Sequence, residues 1–179
     1  MTDRRSFFEQ ERTPSLHAEG KRKMRVVKYG TRLSGDRLPH LVREMSRNYA
    51  GRTADSSDKI IDILREIEEA DSLVQEKLWM FCLDNRMRLI GYFELFAGGR
   101  VSCQTDSSIL FASALATGAS SIILAHNHPS GVPTPSQEDV EMTRNIFSGA
   151  QFLGIRLDDH IIIGGGNYVS LRETYPDLF

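Results

Sequence analysis

The hydrophobic pattern divides the first part of the chain into a polar arm, a strand and two helices. Residues 1–23 are polar, mixed in charge and without periodicity, so we predict a flexible arm. Residues 24–32 have the β-branched and aromatic content of a strand. Residues 39–49 carry apolar side chains at helical spacing, and residues 58–70 do so more strongly. We therefore predict a helix over each of these two segments, the second one capped by the serines before it.

A nearly continuous apolar run predicts the centre of a sheet. Residues 77–84 suit a buried central strand, and Asp84 with Asn85 favours a turn after it. Residues 88–96 are predicted to be the antiparallel partner of that strand. Residues 108–117 form a predicted helix whose alanines allow close packing on a sheet.

The remaining pattern predicts a short buried strand, a long helix and two further strands, at residues 121–125, 136–152, 159–163 and 168–172. Gly154 suits the end of the long helix, and a glycine-rich turn separates the last two strands. The alternation of strands and helices predicts an α/β or α+β fold.

Composition narrows the class of protein. At 179 residues, with 40% hydrophobic and 26% charged content, the chain suits one soluble globular domain. The net charge of −2 gives no global attraction to nucleic acid or anionic lipid. A short basic cluster, Lys21–Lys23, could contact phosphate, but a solvated tail is the simpler interpretation. No apolar run reaches the ~20 residues that span a bilayer, so we expect no membrane partner.

The two cysteines, Cys82 and Cys103, are isolated in the sequence. Their spacing argues against a disulfide framework or a cysteine-built metal site, and small buried hydrophobic side chains are the simpler interpretation. No secretory signal is visible at the start. We therefore expect a cytoplasmic protein.

The main candidate for chemistry is His126-Asn127-His128-Pro129, followed after a six-residue loop by Ser136 and then by Asp139. Two imidazoles one residue apart at a strand end can turn toward a common point. A carboxylate early in the next helix can reach the same point. Two nitrogens and one oxygen fill three corners of a tetrahedron and leave the fourth for water, as in a catalytic zinc site.

Each part of this cluster also has a simpler interpretation. Nearby histidines before a proline occur by chance in loops, and Ser136 with Asp139 forms an ordinary helix capping box. The conjunction of a strand end, a proline-stiffened loop and a carboxylate one turn into a helix favours the metal site. The two interpretations are compatible, because a helix start can hold a ligand rigidly.

Water activation also needs a base, and Glu94 is the candidate. It lies in the otherwise apolar segment 90–96, where an unpaired buried carboxylate is costly. The alternative for Glu94 is a salt bridge at the rim of the sheet. Ser136 could donate a hydrogen bond to an oxyanion. For His160, a structural role with Asp159 or backbone is simpler than a role in orienting the site, and His17 and His40 look incidental.

These residues resemble a known signature. Glu94, His126-x-His128-Pro129 and Ser136-x-x-Asp139 are similar to the JAMM motif of the JAB/MPN metalloprotease superfamily. Residues 125–131 and 159–164 resemble the bacterial RadC-like JAB proteins. The resemblance implies a JAB/MPN fold, a curved mixed β-sheet flanked by helices like that of cytidine deaminases. It places the domain at residues 24–179, with a strand–helix extension at 24–75.

The resemblance also implies a set of roles. His126, His128 and Asp139 would bind one Zn²⁺ per chain, Glu94 would be the acid/base, and Ser136 would assist the transition state. The chain departs from the family in lacking the helix-hairpin-helix region of longer members. A second departure is Asp106-Ser107-Ser108, which stands where the family has Pro-Arg-Glu.

Three functions remain open from the sequence. The first is a zinc-dependent hydrolase that cleaves a peptide or isopeptide bond in an unidentified peptide or protein substrate. The second is an accessory protein of DNA repair or mobile elements that binds nucleic acid or a protein partner. The third is a catalytically silent MPN-type scaffold. A homo-oligomer stays open in each case. HNH nucleases and zinc deaminases are excluded, because they place their ligands differently.

Overall fold

A mixed β-sheet organises the part of the chain that the structure, a computed structural model, describes: residues 24–49, 53–54, 56–98 and 106–179. Its strands are β1 (Met24–Leu33), β2 (Pro39–Tyr49), β3 (Glu76–Leu83), β4 (Leu89–Gly98), β5 (Ser121–Asn127), β6 (Arg156–Gly164) and β7 (Asn167–Ser170). The helices are α1 (Ser57–Glu68), α2 (Ser107–Thr117), α3 (Gln137–Phe152) and the short α4 (Leu171–Thr174). Short 3₁₀ turns lie at Ala70–Ser72 and Pro176–Leu178.

Within the described residues the sheet has the strand order β2-β1-β4-β3-β5-β6-β7. The pairs β1–β4 and β5–β6 are parallel, and the other neighbours are antiparallel. The protein thus has an α/β fold with a mixed β-sheet flanked by helices, consistent with the JAB/MPN fold that the resemblance implies. Sequence patterning also predicted the hairpin of β3 and β4 and the positions of α1, α2 and α3.

Within the described residues, the two largest hydrophobic clusters lie on opposite faces of the sheet, and a small third cluster joins Ile162 to Leu171 and Leu178. On the α1 face, Trp79 and Tyr92 pack with the isoleucines of α1. On the α2–α3 face, Leu78 and Leu124 pack with residues of α2 and α3. Because successive strand residues point to opposite faces, these cores also tell which face each polar side chain occupies.

The predicted helix at residues 39–49 is wrong, because this segment is the edge strand β2. It pairs with β1 along its whole length, and the register shifts between Lys28 and Tyr29, so that Glu44 lies opposite no residue of β1. This bulge turns the strand over, so that Leu41 packs against the α2–α3 core while Met45 packs against the α1 core. Leu41 and Met45 are four positions apart, which looks like helical spacing. It arises here because the bulge lets one strand place apolar side chains on both faces of the sheet.

The remaining sequence predictions concern the last strand, the cysteines, the arm and the absence of a membrane span. The last predicted strand ends at Ser170, since Leu171 begins α4. Cys82 is fully buried, as expected, and burial raises the pKa of its thiol to about 12. Cys103, His17 and the predicted arm at residues 1–23 lie outside the described residues. Among the helices of the described part, none is long and apolar enough to cross a membrane.

Candidate metal centre

The predicted ligands come from the end of β5 and the start of α3. His126 is the last but one residue of β5, and His128 follows the strand. The backbone N–H of His128 donates to the carbonyl of Ile163 at 2.7 Å, which ties the turn to β6. Asp139 lies in the first turn of α3 and is only 6% exposed. The fold therefore brings all three side chains to one place on the α2–α3 face.

Glycines let the loop after His128 approach the sheet. The turn after β6 brings Gly165, with φ +58°, against the loop at Gly131. An ideal Cβ on Gly165 would lie 2.6 Å from the carbonyl oxygen of Gly131. A larger side chain would push the loop away, so glycine here helps to fix the position of His128.

The three candidate ligand groups form a triangle whose sides suit a metal ion. His126 Nε2 lies 2.9 Å from His128 Nε2 and 3.2 Å from Asp139 Oδ1, and His128 Nε2 lies 3.4 Å from Asp139 Oδ2. Ligand atoms about 2.0–2.1 Å from a zinc ion at the corners of a tetrahedron lie about 3.3–3.4 Å apart. The two contacts to Asp139, one to each of its carboxylate oxygens, are close to this spacing, and the two histidine nitrogens are about 0.4 Å closer together than it. Two imidazoles and one carboxylate are also a donor set that zinc accepts.

A chain of buried hydrogen bonds fixes the tautomer of His126. The hydroxyl of Thr143 donates to the carbonyl of Asp139 at 2.6 Å, so its oxygen accepts from His160 Nδ1, also at 2.6 Å. A neutral His160 then has its Nε2 lone pair free to accept from His126 Nδ1, which lies 2.9 Å away. Burial lowers the pKa of His160 well below its usual value and keeps it neutral.

A hydrogen bond from Nδ1 also fixes the tautomer of His128, so that both histidines present an unprotonated Nε2 to the site. His128 Nδ1 lies 2.8 Å from the carbonyl of Val132, to which it donates, and its Nε2 faces His126. Both Nε2 lone pairs therefore converge beside the Asp139 carboxylate. Two lone pairs at this distance repel each other unless a proton or a metal cation lies between them, so the arrangement favours a bound cation.

The electrostatics agree with this arrangement. Burial opposes the charge of Asp139, but the close approach of His126 and His128 and the hydrogen bond from Ser136 outweigh it and hold the Asp139 pKa well below the usual range. The hydrogen bond to Asp139 raises the pKa of His128, while burial acts against it. A positive charge beside Asp139 is thus stabilised.

Ser136 and Asp139 also form the capping box that the sequence suggested. Asp139 N–H donates to Ser136 Oγ at 3.1 Å, and Ser136 N–H donates to Asp139 Oδ2 at 2.7 Å. The Ser136 hydroxyl donates to the same Oδ2 at 2.6 Å. The cap leaves Asp139 Oδ1 free of Ser136, which is compatible with a ligand role for Asp139, and the Ser136 hydroxyl would have to rotate to donate to an oxyanion.

The structure does not bring Glu94 to the histidines. Its carboxylate accepts from Lys28 at 2.8 Å and from Lys77 at 3.0 Å. Glu94 lies two residues after Tyr92 and so shares the α1 face, whereas His126 lies two residues after Leu124 on the α2–α3 face. Burial acts to raise the pKa of Glu94, but the two lysines have the larger effect, so the pKa is lowered overall. This geometry matches the salt bridge that the sequence left open as the alternative.

A different carboxylate, Glu76, lies beside the histidine pair. One of its oxygens and the ligand nitrogens of His126 and His128 all lie within 4.8 Å of one another. Glu76 begins β3, and Leu78, two residues on, pairs with His126 and faces the α2–α3 core. In the sequence Glu76 is one of three acidic residues between α1 and the apolar run, with nothing in the local pattern to distinguish it from Glu69 and Asp71. Only the register of β3 against β5 could have identified it.

The other histidines differ from the expectations in one respect. The predicted partner of His160, Asp159, accepts from its backbone N–H at 2.7 Å, while the His160 ring contacts His126. His160 therefore lies where it can orient the site. His40 is exposed on β2 beside α2, in a different part of the molecule from the histidine pair.

Comparisons with known proteins assign the chain to a family. The family model of the RadC-like JAB domain matches residues 54–175. A protein of Clostridium perfringens named UPF0758 protein is 35% identical over 132 residues, which cover 74% of this chain and 56% of that protein. A UPF0758 protein of Chloroflexus aurantiacus is 42% identical over 105 residues, 59% of this chain and 46% of its own length. The chain spans about half the length of these curated relatives. It belongs to the RadC-like JAB domain family.

Proposed function

We propose that this chain is a zinc-dependent hydrolase of the JAMM type that cleaves a peptide or isopeptide bond. The observation that carries the proposal is the convergence of His126 Nε2, His128 Nε2 and the Asp139 carboxylate, whose contacts are 2.9–3.4 Å long. A second carboxylate, Glu76, beside the same histidines supports hydrolysis over simple metal storage.

In this proposal His126, His128 and Asp139 would hold the ion. A bound zinc would polarise a water molecule and lower its pKa toward about 7. Glu76 would accept the proton as the water oxygen attacks the carbonyl carbon. It would then deliver that proton to the amine nitrogen as the carbon–nitrogen bond breaks, which returns Glu76 to its ionised form.

Two further side chains would assist. The Ser136 hydroxyl, after leaving Asp139 Oδ2, would donate to the oxygen that becomes negative on the substrate. His160 would hold His126 in the tautomer that exposes Nε2. Glu94 is predicted from the sequence as the acid/base, but on the α1 face it stabilises Lys28 and Lys77. We therefore assign the acid/base role to Glu76.

The two glutamates form a matched pair for a test. Zinc-loaded protein would be incubated with a library of fluorogenic peptides and with a lysine-linked isopeptide. We expect cleavage by the wild type and by Glu94→Gln, and a loss of at least about 100-fold in Glu76→Gln with zinc retained. Loss in Glu94→Gln but not in Glu76→Gln would contradict the assignment. Zinc binding without cleavage of either probe by the wild type would favour the silent scaffold.

The nucleic-acid alternative gains no support from the described residues. Its basis in the sequence is the basic cluster Lys21–Lys23, which lies outside them. A cytoplasmic location and a homo-oligomeric state remain predictions.

A further inference from the structure

Asn127 stands between the two histidines, yet its side chain holds β3. It is 2% exposed. Its Oδ1 accepts from the backbone N–H of Lys77 at 2.9 Å, and its Nδ2 donates to the carbonyl of Gln75 at 3.0 Å. Both ends of a buried amide are thus paired with the backbone groups on either side of Glu76.

The position of Asn127 in the sheet explains this contact. The antiparallel ladder of β3 and β5 ends at the pair Leu78 and His126. Beyond this pair the chain stays paired with β6, where Asn127 lies opposite Ile163 and the N–H of His128 donates to the Ile163 carbonyl. The Asn127 side chain supplies a donor and an acceptor to β3 where the backbone no longer does.

This amide fixes the strand end that carries Glu76. Glu76 is the first residue of β3, and strand ends open locally at low cost. On the other side of β3 it pairs with Gly98, the last residue of β4. The two bonds from Asn127 join the backbone on either side of Glu76, at Gln75 and Lys77, to the end of β5.

We propose that Asn127 is a positioning residue that sets the distance of the Glu76 carboxylate from the histidine pair. The inference rests on the proposed function, because it assumes that Glu76 acts on water at that pair. Three consecutive residues would then build the site, with His126 and His128 as ligands and Asn127 as the anchor of the acid/base. The hydrogen bonds to Gln75 and Lys77 give it a test that does not depend on activity.

The first measurement is amide hydrogen exchange of Lys77 in the folded protein. We expect exchange roughly tenfold faster in Asn127→Ala, the effect of losing one hydrogen bond. Asn127→Asp keeps the acceptor for Lys77 but loses the donor to Gln75, so Lys77 should stay closer to the wild type. Asn48→Ala, on the exposed part of β2, is the control and should leave the exchange unchanged. Unchanged exchange in Asn127→Ala would overturn the proposal.

The second measurement is the visible absorption spectrum of the protein loaded with Co²⁺. A carboxylate beside the ion changes its ligand field, so Glu76→Gln should change the wild-type spectrum. Asn127→Ala should bind one Co²⁺, give the same spectral change, and show no further change when Glu76→Gln is added.

The outcomes separate this inference from the proposed function. If Glu76→Gln changes the spectrum and Asn127→Ala does not, Asn127 has no positioning role and the proposed function stands. If Glu76→Gln leaves the spectrum unchanged, the acid/base assignment fails and the positioning role with it. If the wild type binds no Co²⁺, the proposed function itself fails.

Discussion

His126 and His160 are joined through their ring nitrogens, with Nδ1 of the first 2.9 Å from Nε2 of the second. His160 is completely buried, and its other ring nitrogen, Nδ1, donates to the Thr143 hydroxyl at 2.6 Å. A histidine that sequence patterning treats as structural thereby sets which nitrogen of His126 faces the site. We expect the arrangement to determine how tightly a metal binds.

Replacement of His160 should weaken metal binding. In His160→Phe the ring volume is kept, but His126 Nδ1 loses its acceptor, so Nε2 is no longer fixed as the free nitrogen. We expect zinc affinity to fall about 10- to 100-fold, measured by competition with a chelator. His40→Phe on β2 is the control and should bind zinc like the wild type. Equal affinities in both variants would contradict the orienting role.

Removal of the cap should affect stability separately from the metal. Ser136→Ala removes the side chain that accepts from Asp139 N–H but leaves the Asp139 carboxylate in place. We expect the free energy of unfolding of the metal-free protein to fall by about 1 kcal/mol in urea titrations. Ser148→Ala, an exposed position in α3, is the control and should change it little.

The charged pair at the site should give the metal-free protein a defined pH dependence. The lowered pKa of Asp139 stabilises the fold above its unfolded value near 3.8, and this contribution is lost as pH falls through the folded pKa. The raised pKa of His128 stabilises it below 6.5, and this is lost as pH rises through the folded pKa. We therefore expect the contribution of this pair to be largest between these two values. Urea titrations of wild type and Asp139→Asn across pH would measure it, and a constant difference between them would contradict the pairing.

Metal binding should depend on pH in the opposite sense. A proton on His128 occupies the nitrogen that a metal needs, so zinc affinity should rise as pH increases through the raised pKa of His128. Chelator competition between pH 5.5 and 8 would measure this rise. Affinity that is independent of pH would contradict a histidine ligand.

The ion pairs of Lys28 should stabilise the packing of the β1–β2 hairpin against α1 and β4. Its ammonium lies 3.1 Å from Glu68 of α1 and 2.8 Å from Glu94 of β4, in a partly buried place. Lys28→Met leaves two carboxylates without this cation, and we expect a loss of about 1–3 kcal/mol in stability. Arg32→Met removes an exposed pair with Glu44 and should cost less than about 1 kcal/mol. Equal losses would show that burial of the Lys28 pairs is unimportant.

Local patterning was sufficient wherever one core dictates the spacing of apolar residues. The helix α1 buries Ile60, Ile61 and Leu64 in a single core, so its periodicity predicts it directly. The strand β2 divides Leu41 and Met45 between two cores across a bulge, and its spacing then imitates a helix. A bulge depends on the partner strand, which no local pattern reveals.

The candidate site likewise contains residues that local sequence spacing predicts and one that only strand pairing identifies. His126, His128 and Asp139 belong to one short stretch of strand, loop and helix, and sequence spacing brought them together. Glu76 lies 50 residues before His126 in the numbering, and the register of β3 with β5 places it. The sequence points to Glu94 because a carboxylate in an apolar strand needs a partner. Its partners are Lys28 and Lys77, one of them on a strand that the chain reaches 66 residues earlier.

The most direct test of the central claim is metal analysis of the purified protein, in wild type and in His128→Ala. We expect one zinc per chain in the wild type after supplementation and almost none in His128→Ala. Glu76→Gln and Glu94→Gln should both retain the metal. Absence of zinc from the supplemented wild type, or equal zinc in His128→Ala, would contradict the account.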